Sequence, residues 1–193
     1  MFKKILIANR GEISVRVIRT CREMGIKTVA VFSEADRTSP HVLKAHEAYC
    51  VGPPPSSRSY LNIEKILEII KNTGADAVHP GYGFLSENAD FSKLISKMGA
   101  VWIGPPSSII TTMGDKMAAR RLAEKVGAPV VPGTTEPLKD LQTAKKTAYK
   151  IGYPILIKAA GGGGGKGMRI IKLSSELAKA MERAKSEAGK AFS

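Results

Sequence analysis

Lys4-Ile5-Leu6-Ile7-Ala8 is an apolar run too short for a helix, and Thr28-Val29-Ala30-Val31-Phe32-Ser33 repeats its chemistry further along the chain. Both runs suit parallel strands buried on two faces. Between them Ile13, Val17, Cys21 and Met24 recur at helical spacing and are expected to face a sheet, with Arg16, Arg19 and Glu23 on the opposite side. Gly25 ends that helix. Strand, helix and strand in this order form a right-handed crossover unit of the doubly wound kind. The alternation continues with strands over residues 48–51, 76–79 and 101–103 and helices over residues 61–72 and 88–97. The expected fold class is therefore α/β, beginning with a Rossmann-like open parallel sheet.

Gly52-Pro53-Pro54-Pro55-Ser56-Ser57-Arg58-Ser59 is expected to be a mobile loop, because its prolines forbid ladder pairing and helix continuation. A second unit opens near Gly114. A helix over residues 116–126 stops at Gly127, and Pro129 and Pro132 lie in an extended linker. There follow a helix over 138–151, a strand over 154–158, a glycine run, a strand over 168–171, and a helix over about 174–188. Ser174 or Ser175 is the expected cap of that last helix, with Glu176 in its first turn. The domains expected from this pattern are residues 1–113, a linker helix region over 114–131, and an incomplete α+β subdomain over 132–193. A strand-loop-strand-helix unit leaves a sheet edge that is normally paired, so the natural protein is expected to continue past Ser193.

The 193 residues are 43% hydrophobic and 24% charged, the range of a globular protein of one or two domains. Asn9-Arg10 interrupts the first apolar run too early for a signal peptide, and no stretch is long enough to span a bilayer. Cys21 and Cys50 share no metal-type spacing, and free thiols in a reducing cytoplasm are the reading they favour. His41, His46 and His79 suggest no zinc site, and no metal ligands are assigned. The net charge of +13 raises nucleic-acid binding as a function class. Against it, lysines such as Lys65, Lys71, Lys93, Lys97, Lys145, Lys146, Lys150, Lys179, Lys185 and Lys190 are spread over helices, and aromatics are not interleaved with them. A piece of a phosphate-binding protein that keeps its cations, while the carboxylates for magnesium lie elsewhere, also accounts for the excess.

The strongest local signal for chemistry is Lys158-Ala159-Ala160, then Gly161, Gly162, Gly163, Gly164 and Gly165, then Lys166-Gly167-Met168, set between two strands. Each glycine costs roughly 0.5–1 kcal/mol in ordering relative to alanine, so such a run favours close backbone approach to a ligand. Main-chain N–H groups there can cradle phosphate oxygens, and Lys166 adds a point charge that follows the loop. A flexible linker is the competing reading. A Walker loop is excluded, since Gly167 is followed by Met168 entering a strand. The dinucleotide fingerprint is absent after the first strand, where Asn9-Arg10-Gly11-Glu12 holds one glycine; Glu34, at the end of the second strand, mimics a ribose-binding acid only weakly.

Lys158 shares a strand face with Leu156, and its stem is expected to be buried with its head on an anion; a snorkelling lysine at a strand end is the alternative. Lys116 follows Asp115, a helix cap, and sits where the helix dipole disfavours a cation by roughly 0.3–1 kcal/mol, which an anionic ligand would offset. His79-Pro80-Gly81-Tyr82-Gly83-Phe84-Leu85-Ser86-Glu87-Asn88 leaves a strand at the carboxyl edge where open α/β sheets bind ligands, displaying Tyr82 between two glycines. A plain turn with Ser86 or Asn88 capping the next helix, and His79 as a satisfied core histidine, reads equally well.

Residues 5–13, residues 79–88, Ile103-Gly104-Pro105, Met113-Gly114-Asp115-Lys116 and the glycine run ending in Gly167-Met168-Arg169, taken in order, resemble the biotin carboxylase family of the ATP-grasp superfamily. The likeness runs through the whole chain. It implies an N-terminal pre-ATP-grasp domain and a mobile lid that closes on ATP with magnesium. It also implies that bicarbonate is phosphorylated to carboxyphosphate and that biotin is carboxylated as the acceptor. It places Lys116, Lys158, Gly161 to Gly165, Lys166, Gly167 and Met168 at ATP, and Tyr82 and Gly83 beside biotin. Lys166 stands where many relatives have arginine and loses the planar fork. The family's general base, its magnesium ligands and its bicarbonate- and biotin-holding arginines would lie beyond Ser193, so no catalytic residue is named. Implied partners are a biotin carboxyl carrier protein or domain and a carboxyltransferase of an acyl-CoA or pyruvate carboxylase, in settings such as fatty acid biosynthesis; neither nucleic acid nor membrane is among them. Other readings are a different ATP-grasp ligase, such as carbamoyl-phosphate synthetase, or a non-catalytic homodimer module with Arg19 and Glu23 facing the partner. The glycine run is expected to be poorly ordered without nucleotide. Hydrogen exchange on its amides should be fast in the apo protein and slow with ATP; core-like protection without nucleotide would remove the lid interpretation.

Overall fold

The computed structural model describes residues 1–158 and 168–191, without the side chains of residues 185 and 187–191. The glycine run from Gly161 to Gly167, and its expected disorder, lie outside the described residues. The chain divides into two compact units, Met1–Gly114 and Asp115–Ser193.

The first unit is built on five parallel strands: β1 (Lys4–Ile7), β2 (Lys27–Ser33), β3 (Glu47–Gly52), β4 (Ala77–His79) and β5 (Val101–Trp102). Their order across the sheet is β3-β2-β1-β4-β5, with Leu6 beside Val29 on one side and Val78 on the other. The helices are α1 (Gly11–Glu23), α2 (Pro40–Lys44), α3 (Ile63–Thr73), α4 (Ala89–Lys97) and α5 (Ser107–Gly114). Strand periodicity separates two cores. Leu6, Val29, Val31 and Val78 point to one face and pack with Ile66, Ile69, Phe91, Ile95 and Trp102, while Ile5, Ile7 and Ala77 point to the other and pack with Ile18, Cys21 and Ile26. Each fully buried aliphatic side chain contributes about 1.5–3 kcal/mol by leaving water.

Helix ends follow side-chain chemistry where a cap exists. The Asn62 side chain accepts from Lys65 N at the start of α3, and Asn88, not Ser86, accepts from Phe91 N at 2.8 Å to start α4. In α1 the buried line is Ser14, Ile18 and Cys21, while Ile13 and Val17 are half-buried and Met24 is 51% exposed. Met24 already forms the helix C-cap, so its side chain no longer follows the stripe expected from spacing. Neither α2 nor α5 was anticipated. The latter carries Ile109, Ile110, Thr111 and Thr112, poor helix formers that disguise it, and Ile110 anchors it in the core. The proline segment folds back on itself: Gly52 lies so close to the Arg58 carbonyl that a Cβ there would be 2.3 Å from the oxygen, and Ser59 and Tyr60 behind it are buried.

The second unit contains α6 (Lys116–Lys125), α7 (Leu141–Ile151), an antiparallel ribbon of β6 (Ile155–Ile157) and β7 (Arg169–Ile171), and α8 (Leu177–Ala191). Ala144, Ala148 and Leu177 form its core, with Leu138, Ile155, Ile157 and Met181 packed against them. The cap of α7 is Asp140, whose Oδ1 accepts from Thr143 N at 2.7 Å, so the helix begins after Leu138, which packs into the core instead. Neither Ser174 nor Ser175 caps α8. A 3-10 turn over Ser174–Glu176 precedes it, and the Glu176 carboxylate turns back to accept from Lys172 N and Leu173 N. Arginines of α6 fasten the extended segment after it, Arg120 to the Val131 carbonyl and Arg121 to Glu136. Lys71, Lys93, Lys97, Lys145, Lys146, Lys150 and Lys179 are exposed along helices, as expected of solvated faces.

At the end of β2 the buried carboxylate of Asp36 receives Arg10 Nε at 2.7 Å, a second Arg10 nitrogen, the Tyr60 hydroxyl, and Ser33 Oγ at 3.2 Å. These donors, Arg10 foremost, hold the Asp36 carboxyl well below the usual carboxylate range. Asp36→Asn is expected to cost roughly 2 kcal/mol at pH 7, the loss of a charged hydrogen bond. The folded-state value is depressed, so the contribution is complete above the unfolded value near ~3.9 and fades as pH falls towards the folded one. The gap between urea melts of the two proteins should begin to narrow below about pH 4 and go on narrowing with further acidification; a gap that stays constant on acidification would show that Asp36 is not acting as a carboxylate.

Candidate functional site

In the sheet order β3-β2-β1-β4-β5 the chain first builds leftward from β1 and then returns to its other side, so the reversal falls between β1 and β4. A crevice opens at the carboxyl ends of strands at such a point, and ligands bind there in open α/β sheets. The residues leaving those two strands are Asn9-Arg10 and Pro80-Gly81-Tyr82-Gly83.

The turn after β4 is held from three directions. Asn9, 2% exposed, donates from Nδ2 to the carbonyls of Pro80 and Tyr82, each at 2.8 Å. His79 Nδ1 accepts the Gly81 N–H at 3.0 Å, and burial pushes its pKa down, so the ring is neutral with Nδ1 as acceptor. The Phe84 ring lies 5.1 Å from that of Tyr60, and Leu85 is buried. Phe84 takes φ +44, a conformation unusual for an aromatic residue that persists where the surroundings impose it. Tyr82, by contrast, is 63% exposed, with its hydroxyl 3.3 Å from Glu12 Oε2. His79 is thus a satisfied histidine, and the turn is a rigid base under one displayed aromatic.

The acid that matters beyond β2 is Asp36 rather than Glu34, which is exposed. Asp36, Tyr60 and Asn9 escaped the sequence reading as site residues. Their partners lie far along the chain, and for Asn9 those partners are backbone carbonyls, which leave no residue-type signature. Arg19 and Glu23 are both exposed on α1.

In the second unit Asp115 Oδ1 accepts from Met117 N at 2.9 Å and Ala118 N at 2.7 Å, which fixes the start of α6 and puts the exposed Lys116 in its first turn. Lys158 leaves β6 and Met168 enters β7. Ile155 and Ile157 pack inward, whereas Leu156 and its cross-strand neighbour Ile170 are 47% and 68% exposed. Lys158 follows the outward alternation and is exposed, so the expectation of a buried stem does not hold: no layer among the described residues covers that ribbon face. Lys158 and the apolar pair Leu156 and Ile170 are thus all exposed. Gly161, Gly162, Gly163, Gly164, Gly165, Lys166 and Gly167 are outside the described residues.

Among the described residues no group of three or more His, Cys, Asp or Glu side chains is placed to hold a metal ion. No helix among them is long and apolar enough to cross a membrane.

Comparison with known proteins finds relatives of both units. The family described as "Biotin carboxylase, N-terminal domain" matches residues 1–110, and "Carbamoyl-phosphate synthase L chain, ATP binding domain" matches residues 115–193. Biotin carboxylase of Haemophilus influenzae is 52% identical over 193 residues, all of this chain and 43% of that protein. Biotin carboxylase of Campylobacter jejuni, solved as a β-γ-ATP complex, superposes with a TM-score of 0.90 at 45% identity, over 100% of this chain and 43% of that one. The biotin carboxylase domain dimer of Hydrogenobacter thermophilus 2-oxoglutarate carboxylase, solved with MgADP, ADP and bicarbonate, gives 0.87 at 49% identity, over 100% of this chain and 42% of that one. The chain thus spans less than half the length of these relatives. With its first 110 residues matched by the N-terminal domain and like proteins aligned along its whole length, the chain belongs to the biotin carboxylase family.

Proposed function

We propose that this chain is the amino-terminal part of an enzyme that carboxylates biotin with ATP and bicarbonate, and that it supplies one wall of the ATP site and the turn that faces biotin. The observation that carries the ATP assignment is the outward face of the β6-β7 ribbon, where Leu156 and its cross-strand neighbour Ile170 are exposed and Lys158 follows as an exposed cation. An apolar surface ending in a cation suits a nucleotide, whose base is flat and apolar-faced and whose phosphates are anionic. Lys116 adds a second cation in the first turn of α6, with Met168 and Gly161 to Gly167 completing the nucleotide-facing set. The nucleotide complexes of the two solved relatives support the same reading.

ATP supplies the phosphoryl group that activates bicarbonate as carboxyphosphate. What these residues do is bind and orient: Lys158 and Lys116 neutralise phosphate charge, and the ribbon face excludes water from the base. Tyr82 and Gly83, raised on the turn after β4, form a surface for the biotin ring. A carrier protein or domain would bring biotin there, a carboxyltransferase would take the product, and two copies would pair through Arg19 and Glu23. Free Cys21 and Cys50 agree with a cytoplasmic setting. The domains of this reading are residues 1–113, 114–131 and 132–193.

In the full-length protein Lys158→Ala is expected to weaken ATP binding about tenfold or more, the value of a charged hydrogen bond. Lys97→Ala, which removes an exposed charge on α4, should leave it unchanged. Equal dissociation constants for the two variants, by isothermal titration, would take Lys158 out of the site. The 193-residue chain alone, given magnesium, bicarbonate and free biotin, is expected to form ADP no faster than background, because positioning by the rest of the clamp supplies most of the acceleration. Bicarbonate-dependent, biotin-stimulated turnover near that of the full-length protein would show that the catalytic groups are already present in it.

A further inference from the structure

We infer that Asn9 is a positioning residue for biotin: its carboxamide clamps the 80–83 turn to the end of β1 and thereby sets where Tyr82 and Gly83 stand. This rests on the reading of that turn as biotin-facing. Every polar group of the Asn9 side chain is committed. Nδ2 spends its two N–H groups on the carbonyls of Pro80 and Tyr82, and Oδ1 accepts the Arg10 N–H at 2.9 Å. The reverse orientation of the amide would set Oδ1 against two carbonyl oxygens, so the hydrogen bonds fix the assignment. Because the accepting carbonyls lie two residues apart, the amide bridges the turn at both ends and curls it around Gly81.

Gly81 answers the clamp from the other side. A Cβ at that position would lie 2.7 Å from Asn9 Nδ2 and 2.9 Å from Asn9 Cγ, and its φ is +67. The backbone can come this close to the amide only without a side chain. Just past the contact, Gly83 has open space where its own Cβ would be, and Tyr82 is largely exposed. The rigid part of the turn and the displayed part are therefore adjacent, with Asn9 acting on the second through the first.

The test uses the full-length protein that contains this chain, with free biotin varied and ADP formation measured. Asn9→Asp keeps the shape but faces both carbonyls with acceptor oxygens; Asn9→Ala removes the clamp. Both should raise the KM for free biotin about tenfold, the scale of one or two neutral hydrogen bonds. The kcat should stay within roughly twofold and the KM for ATP should not change, the pattern of lost substrate positioning rather than lost transition-state contact. Gly81→Ala should raise the biotin KM in the wild-type background and less so beside Asn9→Ala, where the amide it collides with is gone. A biotin KM unchanged by both Asn9 variants would overturn the inference, as would a parallel loss in kcat and in both KM values. If thermal melts show that the Asn9 variants do not fold, Gly81→Ala carries the test: a biotin KM that does not move overturns the inference. Tyr82→Ala separates the two levels. A raised biotin KM there with none in the Asn9 and Gly81 variants overturns only the clamp, while no change there overturns the biotin reading and the inference with it.

Discussion

Burial of β1 on both faces and along both edges is the constraint from which the rest follows. Leu6 and Ile7 are completely buried on opposite faces, and β2 and β4 take the strand's two sets of backbone groups. A strand so enclosed has one free end of consequence, its carboxyl end, and after Ala8 the chain continues there with Asn9 and Arg10. One reaches across to the turn after β4, and the other to the Asp36 carboxylate beyond β2. Three chain segments distant in sequence are thus fixed to one point by two consecutive side chains. The Arg10 guanidinium also lies 5.9 Å from the Tyr60 ring centroid, and Tyr60 meets Phe84, so the charged cluster and the displayed turn share a wall.

Elements set by local chemistry were legible in the sequence. The apolar runs at residues 4–8 and 28–33 left no alternative to buried strands, and Asp115 announced the start of α6. What was illegible depended on partners far along the chain. Nothing about Asn9 as a residue distinguishes a clamp from an ordinary turn, since its acceptors are main-chain carbonyls more than seventy residues away. Asp36 carries no signal of its own in the sequence, where it stands two residues past the weakly suggestive Glu34, and only the fold shows that Arg10 and Tyr60 reach it.

Lys158 shows the same limit in reverse. Alternation correctly put it on the face of Leu156, but whether that face is covered depends on what packs against the ribbon, and a strand pattern carries no such information. The inner face reads as core because α7 and α8 supply Ala144, Ala148 and Leu177; the outer face, equally apolar at Leu156 and Ile170, is open. The ribbon thus has one apolar face that is covered and one that is open, and it is the open one that is proposed to meet the nucleotide.

The buried apolar side chains described in the second unit are Ala144, Ala148, Ile171, Leu177, Ala180 and Ala184, so four of the six are alanine. Alanines let helices approach the ribbon closely but withdraw little hydrocarbon from water. The first unit buries Phe91, Leu6, Ile7, Ile18, Ile66 and Ile95 almost completely. Heat capacity of unfolding scales with newly wetted apolar area. In a calorimeter, then, most of the step in baseline is expected from residues 1–114, and the buried side chains described in the second unit should add little to it.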